Sequence, residues 1–342
     1  MVVTIKDVAE RAGVSAKTVS RVINGEAHVR PDKREAVMRV VRELDYRPNA
    51  FARSLSSSRS YLLGLLIDDP ASGYAADVQL GALMRCRDKS YHMLVEPIDR
   101  GERDWAAALA ATLAMLRLDG AMLTPPLCDD DAVLKVLEEA CLPYVRIAPG
   151  GDEARSGFVR MDDAAAAAEM TRHLIALGHR RIGFIAGDPA HNASAKRYAG
   201  FRDAMAAAGL AVDPALVVEG DFSVRSGLAL GEALLDRADR PSAVFASNDD
   251  MALGVLMIAA KLRLEVPADV AIAGFDDAPT SRAAWPPITT IVQPKAAMAA
   301  AAVDILTDPR YRRQPQDPAW RRLLDYRLEV RGSTDPALPN RA

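Results

Sequence analysis

Hydrophobic residues recur along this chain with two different periods. In the first 60 residues they recur at every third or fourth position in three short runs, which is the period of a helix. From residue 61 onward, short apolar runs alternate with longer amphipathic stretches, which is typical of strands followed by helices. The serine-rich stretch 54–60 separates the two regions and reads as a linker. The pattern predicts a small helical head followed by a larger α/β body.

The head is predicted to contain three short helices. Thr4 and Asp7 are spaced as a capping box in front of the first apolar run. Ser15 can cap a second helix, and Pro31 opens a third, since proline is favoured in a first helical turn. Because only a short turn separates the first two helices, their spacing is that of a helix-turn-helix.

The body is predicted to be an α/β domain with parallel sheets. Eight apolar runs are predicted strands: 62–68, 92–97, 120–124, 144–147, 158–161, 182–186, 243–247 and 270–275. Helical stretches lie between most of them, including 103–117, 163–177, 195–208, 226–237 and 250–263. Alternating strands and helices imply parallel sheets covered on both faces, with ligands bound at the carboxyl ends of the strands. About 270 such residues in two comparable halves indicate two doubly wound lobes around a cleft.

Charge is divided unevenly along a chain whose net charge is only −3. The first 60 residues hold twelve Lys and Arg against seven Asp and Glu, a balance of +5, which leaves −8 for the remainder. A basic head suggests a polyanionic partner, because neutralising phosphates releases condensed counterions. On charge alone, a solvated basic surface is the simpler explanation.

Composition and length narrow the class of protein. A chain of 342 residues is too long to fold around a single hydrophobic core and suits two or three domains. No apolar run is long enough for a membrane span, and the N-terminus lacks a secretory signal, so we expect a cytoplasmic protein. The three cysteines are odd in number and far apart, which argues against a disulfide framework.

Motifs of catalysis and cofactor binding are absent from the sequence. It has no phosphate-binding glycine loop, no nucleophile elbow and no zinc-protease motif. Its five histidines form no pair at the i, i+4 spacing of helical metal ligands. We therefore expect no catalytic residue, no metal and no cofactor.

Two stretches of the head resemble a known family. The runs TIKDVAERAGVSAKTVSRVING and RELDYRPNAFARSL are similar to the headpiece of the lac-repressor (LacI) family of bacterial transcription regulators, over nearly all of residues 3–56. The resemblance implies a DNA-binding headpiece at 1–48 and a hinge helix with linker at 49–60. It also implies that residues 61–342 form a two-lobed effector-binding and dimerisation domain, similar to periplasmic sugar-binding proteins.

The second helix of a helix-turn-helix enters the major groove, where its N-terminal side chains meet base edges. Lys17 and Arg21 can donate to guanine, Ala16 can contact a thymine methyl group, and hydroxyl groups suit phosphates. The predicted DNA contacts of the headpiece are Thr4, Ser15, Ala16, Lys17, Thr18, Ser20, Arg21 and Asn24.

The resemblance also assigns roles in the hinge. It implies that paired hinge helices of a dimer enter the minor groove, where Leu55 wedges between base pairs. Ala52 would allow close approach, while Asn49 and Arg53 would hold phosphate or groove edges. Seven residues are too short for a stable isolated helix, so the hinge can fold only when packed against something.

Polar residues follow the predicted strands of the body, where carboxylates, an amide and an arginine can hold vicinal hydroxyl groups. Such carboxylates are also common helix caps, and Asp249 is expected to be one. The resemblance implies that three residues contact an effector: Arg197 in SAKRYAGF, Phe222 in GDFS and Asn248 in ASNDDMALG. With the other positions it suggests, the predicted effector contacts are Tyr74, Asp162, Arg197, Phe222, Asn248 and Asp276.

These features predict a dimeric, sequence-specific transcriptional regulator, a repressor of carbohydrate-utilisation genes. A small effector, expected to be a sugar, controls its affinity for double-stranded operator DNA. A purine or nucleoside effector remains an alternative, as does a sugar-processing enzyme fused to a DNA-binding head. The tail after Arg331 has no leucine heptads, so a homodimer is expected without any further assembly.

Overall fold

The computed structural model describes residues 3–23, 29–46 and 59–335. The chain divides into two compact units, residues 1–61 and 62–342. The predicted DNA contacts Asn24, Asn49, Ala52, Arg53 and Leu55 lie outside the described residues. Within the described ranges, no helix combines the length and apolar character needed to cross a membrane.

The first unit contains the three predicted helices: α1 (Ile5–Arg11), α2 (Ala16–Ile23) and α3 (Pro31–Glu43). Both halves of the Thr4–Asp7 capping box are present at the start of α1. Ser15 caps α2 by accepting a hydrogen bond from the backbone N–H of Thr18 at 3.2 Å. Apolar residues from all three helices meet in one small core: Val8, Val19, Val22, Val37 and Val40.

The second unit begins with a lobe built on a six-stranded parallel sheet in the order β11-β5-β4-β3-β1-β2. The strands are β1 (Leu62–Ile67), β2 (His92–Pro97), β3 (Gly120–Leu123), β4 (Tyr144–Ile147), β5 (Phe158–Arg160) and β11 (Arg321–Leu323). The helices are α4 (Gly73–Asp88), α5 (Trp105–Leu116), α6 (Asp131–Glu139) and α12 (Lys295–Thr307). Because α12 and β11 come from the end of the chain, this lobe is discontinuous in sequence.

The second lobe has a four-stranded parallel sheet in the order β7-β6-β8-β9. Its strands are β6 (Ile182–Ala186), β7 (Val217–Glu219), β8 (Ala243–Ala246) and β9 (Ala271–Ala273). Its helices are α7 (Asp163–Ala176), α8 (Asn192–Ala207), α9 (Val224–Leu235), α10 (Asp249–Lys261) and α11 (Pro279–Ala283). A small antiparallel pair, β10 (Thr290–Val292) with β12 (Arg327–Glu329), lies beside the points where the chain crosses between lobes.

Neighbouring helices of the second lobe approach closely enough to require glycine. A Cβ atom on Gly200 of α8 would lie 2.1 Å from the carbonyl oxygen of Ala164 on α7. A Cβ atom on Gly227 of α9 would lie 2.3 Å from the carbonyl oxygen of Met251 on α10. Such distances leave no space for a methyl group, so the backbones themselves are in contact. The predicted α/β architecture is confirmed by both parallel sheets and their covering helices.

Candidate functional site

A cavity of about 330 Å³ lies between the two lobes, at the carboxyl ends of their parallel strands. This is where open α/β sheets bind ligands. The first lobe supplies a largely loop-borne wall: Asp68, Asp69, Tyr74, Thr124 and Ala148. The second lobe supplies most of the polar groups, among them Asp163, Asp188, His191, Arg197, Asp221, Asn248 and Asp276.

Arg197 is the centre of the polar wall. Its side chain is only 6% exposed, and its Nε atom donates to Oδ1 of Asp163 at 2.9 Å. Its Nη1 atom donates to the carbonyl oxygen of Ser247 at 2.6 Å and lies 3.7 Å from Oδ1 of Asp276. The guanidinium carbon lies 3.7 Å from the ring centroid of Phe275. These contacts fix the plane of the guanidinium group and balance its charge with two carboxylates.

Asp276 is held in a conformation that few residues adopt. Its φ angle is +111°, and its Oδ1 atom accepts a 2.5 Å hydrogen bond from Nε2 of Gln293. Burial raises the pKa of Asp276, and the nearby Arg197 opposes that rise. Strained backbone at a ligand cleft is commonly a feature of the site itself. Sequence patterns gave no signal for Gln293, which this geometry adds to the candidate site.

Phe222 contributes an apolar ring beside the polar cluster. Its carbonyl oxygen accepts a hydrogen bond from Nδ2 of Asn248 at 2.8 Å, and its φ angle is +65°. Its ring meets His191 edge to face at 5.2 Å between centroids. A Cβ atom on Gly187 would lie 2.0 Å from the Phe222 ring, so glycine leaves the space that the ring occupies. Asn248 therefore positions Phe222 in addition to lining the cavity.

Tyr74 reaches the same cavity from α4 of the first lobe. Its hydroxyl oxygen is buried and has no hydrogen-bond partner in the part of the chain that the structure describes. Burial raises the pKa of Tyr74, and the charges of Asp163 and Asp276 act in the same direction. An unpartnered buried hydroxyl is costly, so its natural partner is a polar group of a bound ligand.

A second set of contacts joins the lobes outside the cavity. Nδ2 of Asn192, at the start of α8, donates to Oδ2 of Asp129 at 2.9 Å, and the same oxygen accepts from the backbone N–H of Gly150 at 2.7 Å. Nζ of Lys196 donates to the carbonyl oxygen of Pro149 at 3.1 Å. We call these contacts the lobe bridge. The bridge fastens α8, the helix that carries Arg197, to the first lobe.

In the headpiece, α2 presents an exposed basic face. Lys17 and Arg21 are exposed, whereas Val19 and Val22 point into the core. Ala16, Thr18 and Ser20 are half-buried. The hydroxyl groups of Thr4 and Ser15 serve as helix caps, and Thr4 also donates to Asp7 at 2.8 Å. The exposed side chains of α2 are the ones that a major-groove helix needs.

Comparison with known proteins adds a decisive observation. A family model described as "Bacterial regulatory proteins, lacI family" matches residues 4–49, and a "Periplasmic binding protein-like domain" model matches residues 171–334. The chain is 36% identical over 337 residues to the HTH-type transcriptional regulator CelR of Thermobifida fusca, covering 96% of this chain and 98% of CelR. The chain belongs to the LacI family.

Other members and solved structures agree with this assignment. The PurR repressor of Klebsiella pneumoniae is 36% identical over 311 residues, covering 89% of both chains. A structure of the CelR–cellobiose complex superposes with a TM-score of 0.74 at 34% identity, covering 97% of this chain and 99% of that one. The lac repressor dimer bound to operator and anti-inducer gives 0.78 at 28% identity, covering 98% and 99%. The predicted class, a DNA-binding transcriptional regulator, is confirmed.

Two carboxylates of this LacI-family regulator have roles other than those predicted. Asp162 does not line the cavity, because its Oδ1 atom turns back to accept from the backbone N–H of Ala165 at 2.9 Å and caps α7. The next residue, Asp163, faces the cavity and binds Arg197. Asp249 was expected to cap α10, but Asn248 is the cap. In both cases the N-cap residue turns its side chain onto the free N–H groups of its helix, while the following residue points elsewhere.

Asp249 is completely buried and is one of the residues that line the cavity. It accepts hydrogen bonds from the Thr290 hydroxyl at 2.6 Å and from the backbone N–H of Ala278 at 2.7 Å. Burial and the neighbouring Asp276 raise the pKa of Asp249 to about 8. The carboxyl group is therefore mainly protonated at neutral pH.

Asp249→Asn is expected to remove a pH dependence of stability. An unfolded chain restores the ordinary carboxyl pKa, so unfolding releases a proton between that value and pH 8. The free energy of unfolding of the parent protein should therefore fall as pH rises through this window, and level off above it. Urea denaturation at about pH 5 and about pH 8 should show a smaller fall in Asp249→Asn. An equal fall in both proteins would contradict a raised pKa at Asp249.

Proposed function

We propose that this regulator is a homodimeric repressor of carbohydrate-utilisation genes and that a sugar bound in the inter-lobe cavity controls its affinity for operator DNA. The observation that carries the proposal is the buried Asp163–Arg197–Asp276 cluster beside the Phe222 ring. Fixed carboxylates and a guanidinium group suit vicinal hydroxyl groups, and an aromatic ring suits the C–H face of a sugar. The solved complex of CelR with cellobiose supports this choice of ligand class.

The lobe bridge suggests how the ligand would act at a distance. A ligand that contacts both lobes binds best to one lobe arrangement, and so shifts the population toward it. The Asp129–Asn192 contact can form only when the lobes are close, so it reports that arrangement. Thermodynamic reciprocity requires operator DNA to change ligand affinity by the same factor, with a coupling typically about 1–3 kcal/mol. We propose that the hinge at 49–55 carries this change to the minor groove.

The dimer is part of the proposal because two headpieces read the two halves of a palindromic operator. The solved lac repressor dimer bound to operator supports it. Because its target is operator DNA, we place the protein in the cytoplasm. We also propose that the cavity binds its ligand without converting it, since the relatives CelR and PurR are transcriptional regulators.

A thermal-shift screen of the full-length protein tests the effector. The probes are cellobiose, glucose and ribose, with guanine and adenosine as the purine arm. At about 100 times its dissociation constant, a ligand stabilises the folded state by about 2.7 kcal/mol, which raises the Tm by several degrees. A shift with a sugar supports the proposal. Shifts of the Tm confined to the purines would indicate that the effector is a purine and not a sugar. The absence of a shift with every probe would count against this effector site.

Lys17→Ala is expected to weaken operator binding through loss of a base contact. Lys17 is exposed on α2, so its removal leaves the headpiece core intact. The loss should be about 1–3 kcal/mol for the operator and smaller for competitor DNA, because a base contact contributes only at the correct site. Competition gel shifts measure both affinities, and Lys33→Ala on α3 is the charge-matched control. Equal losses of affinity for operator and competitor would indicate that Lys17 contacts a DNA phosphate instead of a base.

A further inference from the structure

Four carboxylates of the cavity lining lie in the loops that follow strands, apart from the Arg197 cluster. Asp68 and Asp69 follow β1, Asp188 follows β6 and Asp221 follows β7. We call these four residues the acidic rim. Asp188 and Asp221 each accept a backbone hydrogen bond through Oδ1, from Ala190 at 2.7 Å and Ser223 at 2.9 Å. None of the rim carboxylates forms an ion pair with a lysine or arginine in the described ranges.

Three cations in or near the cavity are paired with carboxylates. Arg197 shares its charge between Asp163 and Asp276. Outside the lining, Arg100 pairs with Asp130 at 2.7 Å, and Lys295 pairs with Asp77 at 2.7 Å. The cavity therefore contains an excess of negative charge between low-dielectric walls, and such clefts focus the electrostatic potential.

Two further groups keep the balance negative near neutral pH. Burial lowers the pKa of His191, the one histidine of the lining, so its ring stays uncharged. Hydrogen bonds from Ser223 and Ser226 lower the pKa of Asp221, so this rim carboxylate stays ionised. Two of the helix N-termini at the cavity are acidic, because α7 begins with Asp163 and α10 with Asp249, whereas α8 begins between the lining residues His191 and Ala193 without an acidic residue in its first turn. Just before the start of α4, Oδ1 of Asp69 accepts a hydrogen bond from the backbone N–H of Ala71.

The inner end of the cavity points to an uncharged hydrogen-bonding ligand. The Tyr74 hydroxyl is buried and unpartnered among described residues, and it lies near the Arg197 cluster, whose cation is already paired. A hydroxyl group of the ligand satisfies Tyr74 without adding charge. A phosphate group is held best by an unpaired arginine or lysine, and Arg197, the cation of the cavity lining, is already paired.

We propose that the cavity selects the free sugar and rejects its phosphorylated and carboxylated forms, with the acidic rim as the selecting element. This inference rests on the sugar effector proposed above. The proposed selection also gives the effector sugar a place in a reaction sequence. The effector is a product of transport or glycoside hydrolysis, sensed before a kinase adds phosphate to it.

Isothermal titration of the full-length protein tests the selection with matched probes. Glucose is compared with glucose 6-phosphate and glucuronate, and ribose with ribose 5-phosphate. We expect the neutral member of a binding pair to bind at least about 30-fold more tightly, which corresponds to about 2 kcal/mol. The ratio should shrink between about 0.1 M and about 1 M salt, because the Debye length falls from roughly 10 Å to roughly 3 Å.

A double variant, Asp69→Asn/Asp221→Asn, tests the rim itself. Asparagine keeps an Oδ1 acceptor for the backbone hydrogen bonds at both positions. The discrimination ratio should fall by about tenfold, whereas the control Asp203→Asn/Asp236→Asn, with the same charge change at exposed positions, should keep the parent ratio.

The outcomes separate this inference from the function on which it rests. Equal or tighter binding of the phosphorylated sugar by the parent protein would overturn the selection and leave the sugar effector standing. The same change of ratio in the rim variant and the control would overturn the role of the rim. If every sugar probe failed to bind while a purine bound, the proposed function itself would fail.

Discussion

Replacing Arg197 with methionine should abolish the effector response and lower the free energy of unfolding of residues 62–342 by about 3–5 kcal/mol. Arg197 is 5% exposed and is the cation that faces both Asp163 and Asp276. Its removal leaves buried carboxylates without a partner, and the cost of an unpaired buried charge exceeds that of the lost contact. Binding of any sugar that uses the guanidinium group is lost with it.

The double variant Arg197→Met/Asp163→Asn separates the two effects. Removing both partners of a buried pair is often nearly neutral, so this variant should recover most of the lost stability. It should remain unresponsive to the sugar, since the polar contacts to the ligand are still missing. Urea denaturation, titration with the sugar and operator gel shifts measure the three properties. A double variant that regains sugar binding would remove Arg197 from the effector site.

Gly200→Ala is expected to have the next largest effect. The added methyl group would overlap the carbonyl oxygen of Ala164, next to Asp163, so α7 and α8 must move apart. Overpacking of this kind costs about 1–3 kcal/mol, and more where backbone has to shift. Because α8 carries Arg197 and α7 carries Asp163, the same movement should lengthen their 2.9 Å contact and weaken sugar binding.

Gly151→Ala is the control for this variant, because a Cβ atom there meets nothing within 4 Å. It should retain the parent stability or gain slightly, since alanine restricts the unfolded chain. Thermal unfolding and titration of both variants, with and without sugar, measure the difference. A Gly200→Ala protein with parent stability and parent affinity would show that the helix contact does not position the cluster.

Local patterns in the sequence predicted the elements whose signals are local. The capping box of Thr4 and the cap at Ser15 located both helices of the helix-turn-helix, because each cap acts within one turn. Continuous apolar runs located the central strands, including β1 and β8, because both faces of a parallel sheet are buried. Strands β7, β10, β11 and β12, each three residues long, were not predicted, although the equally short β5 and β9 were.

The candidate site was predictable only in part for the same reason. The carboxyl ends of parallel strands meet at one edge, so residues such as Asp276 and Asn248 could be assigned to one cleft. Whether Asp162 or Asp163 faces that cleft depends on the rotation of α7 about its axis, which no strand-end rule specifies. The Asp129–Asn192 contact joins residues of different lobes, and neither position carries a local signal for the other.

The discontinuous first lobe has a consequence for how the chain acquires its structure on the ribosome. The four-stranded sheet of the second lobe is complete once residue 273 has emerged, whereas the first lobe still lacks α12 and β11, which end at residue 323. Until then β5 is an unpaired edge and α4 lacks the helix packed against it. While residues 274–323, about a seventh of the chain, are being made, the nascent protein therefore exposes an incomplete sheet beside a finished one, and a chaperone would protect it at this stage.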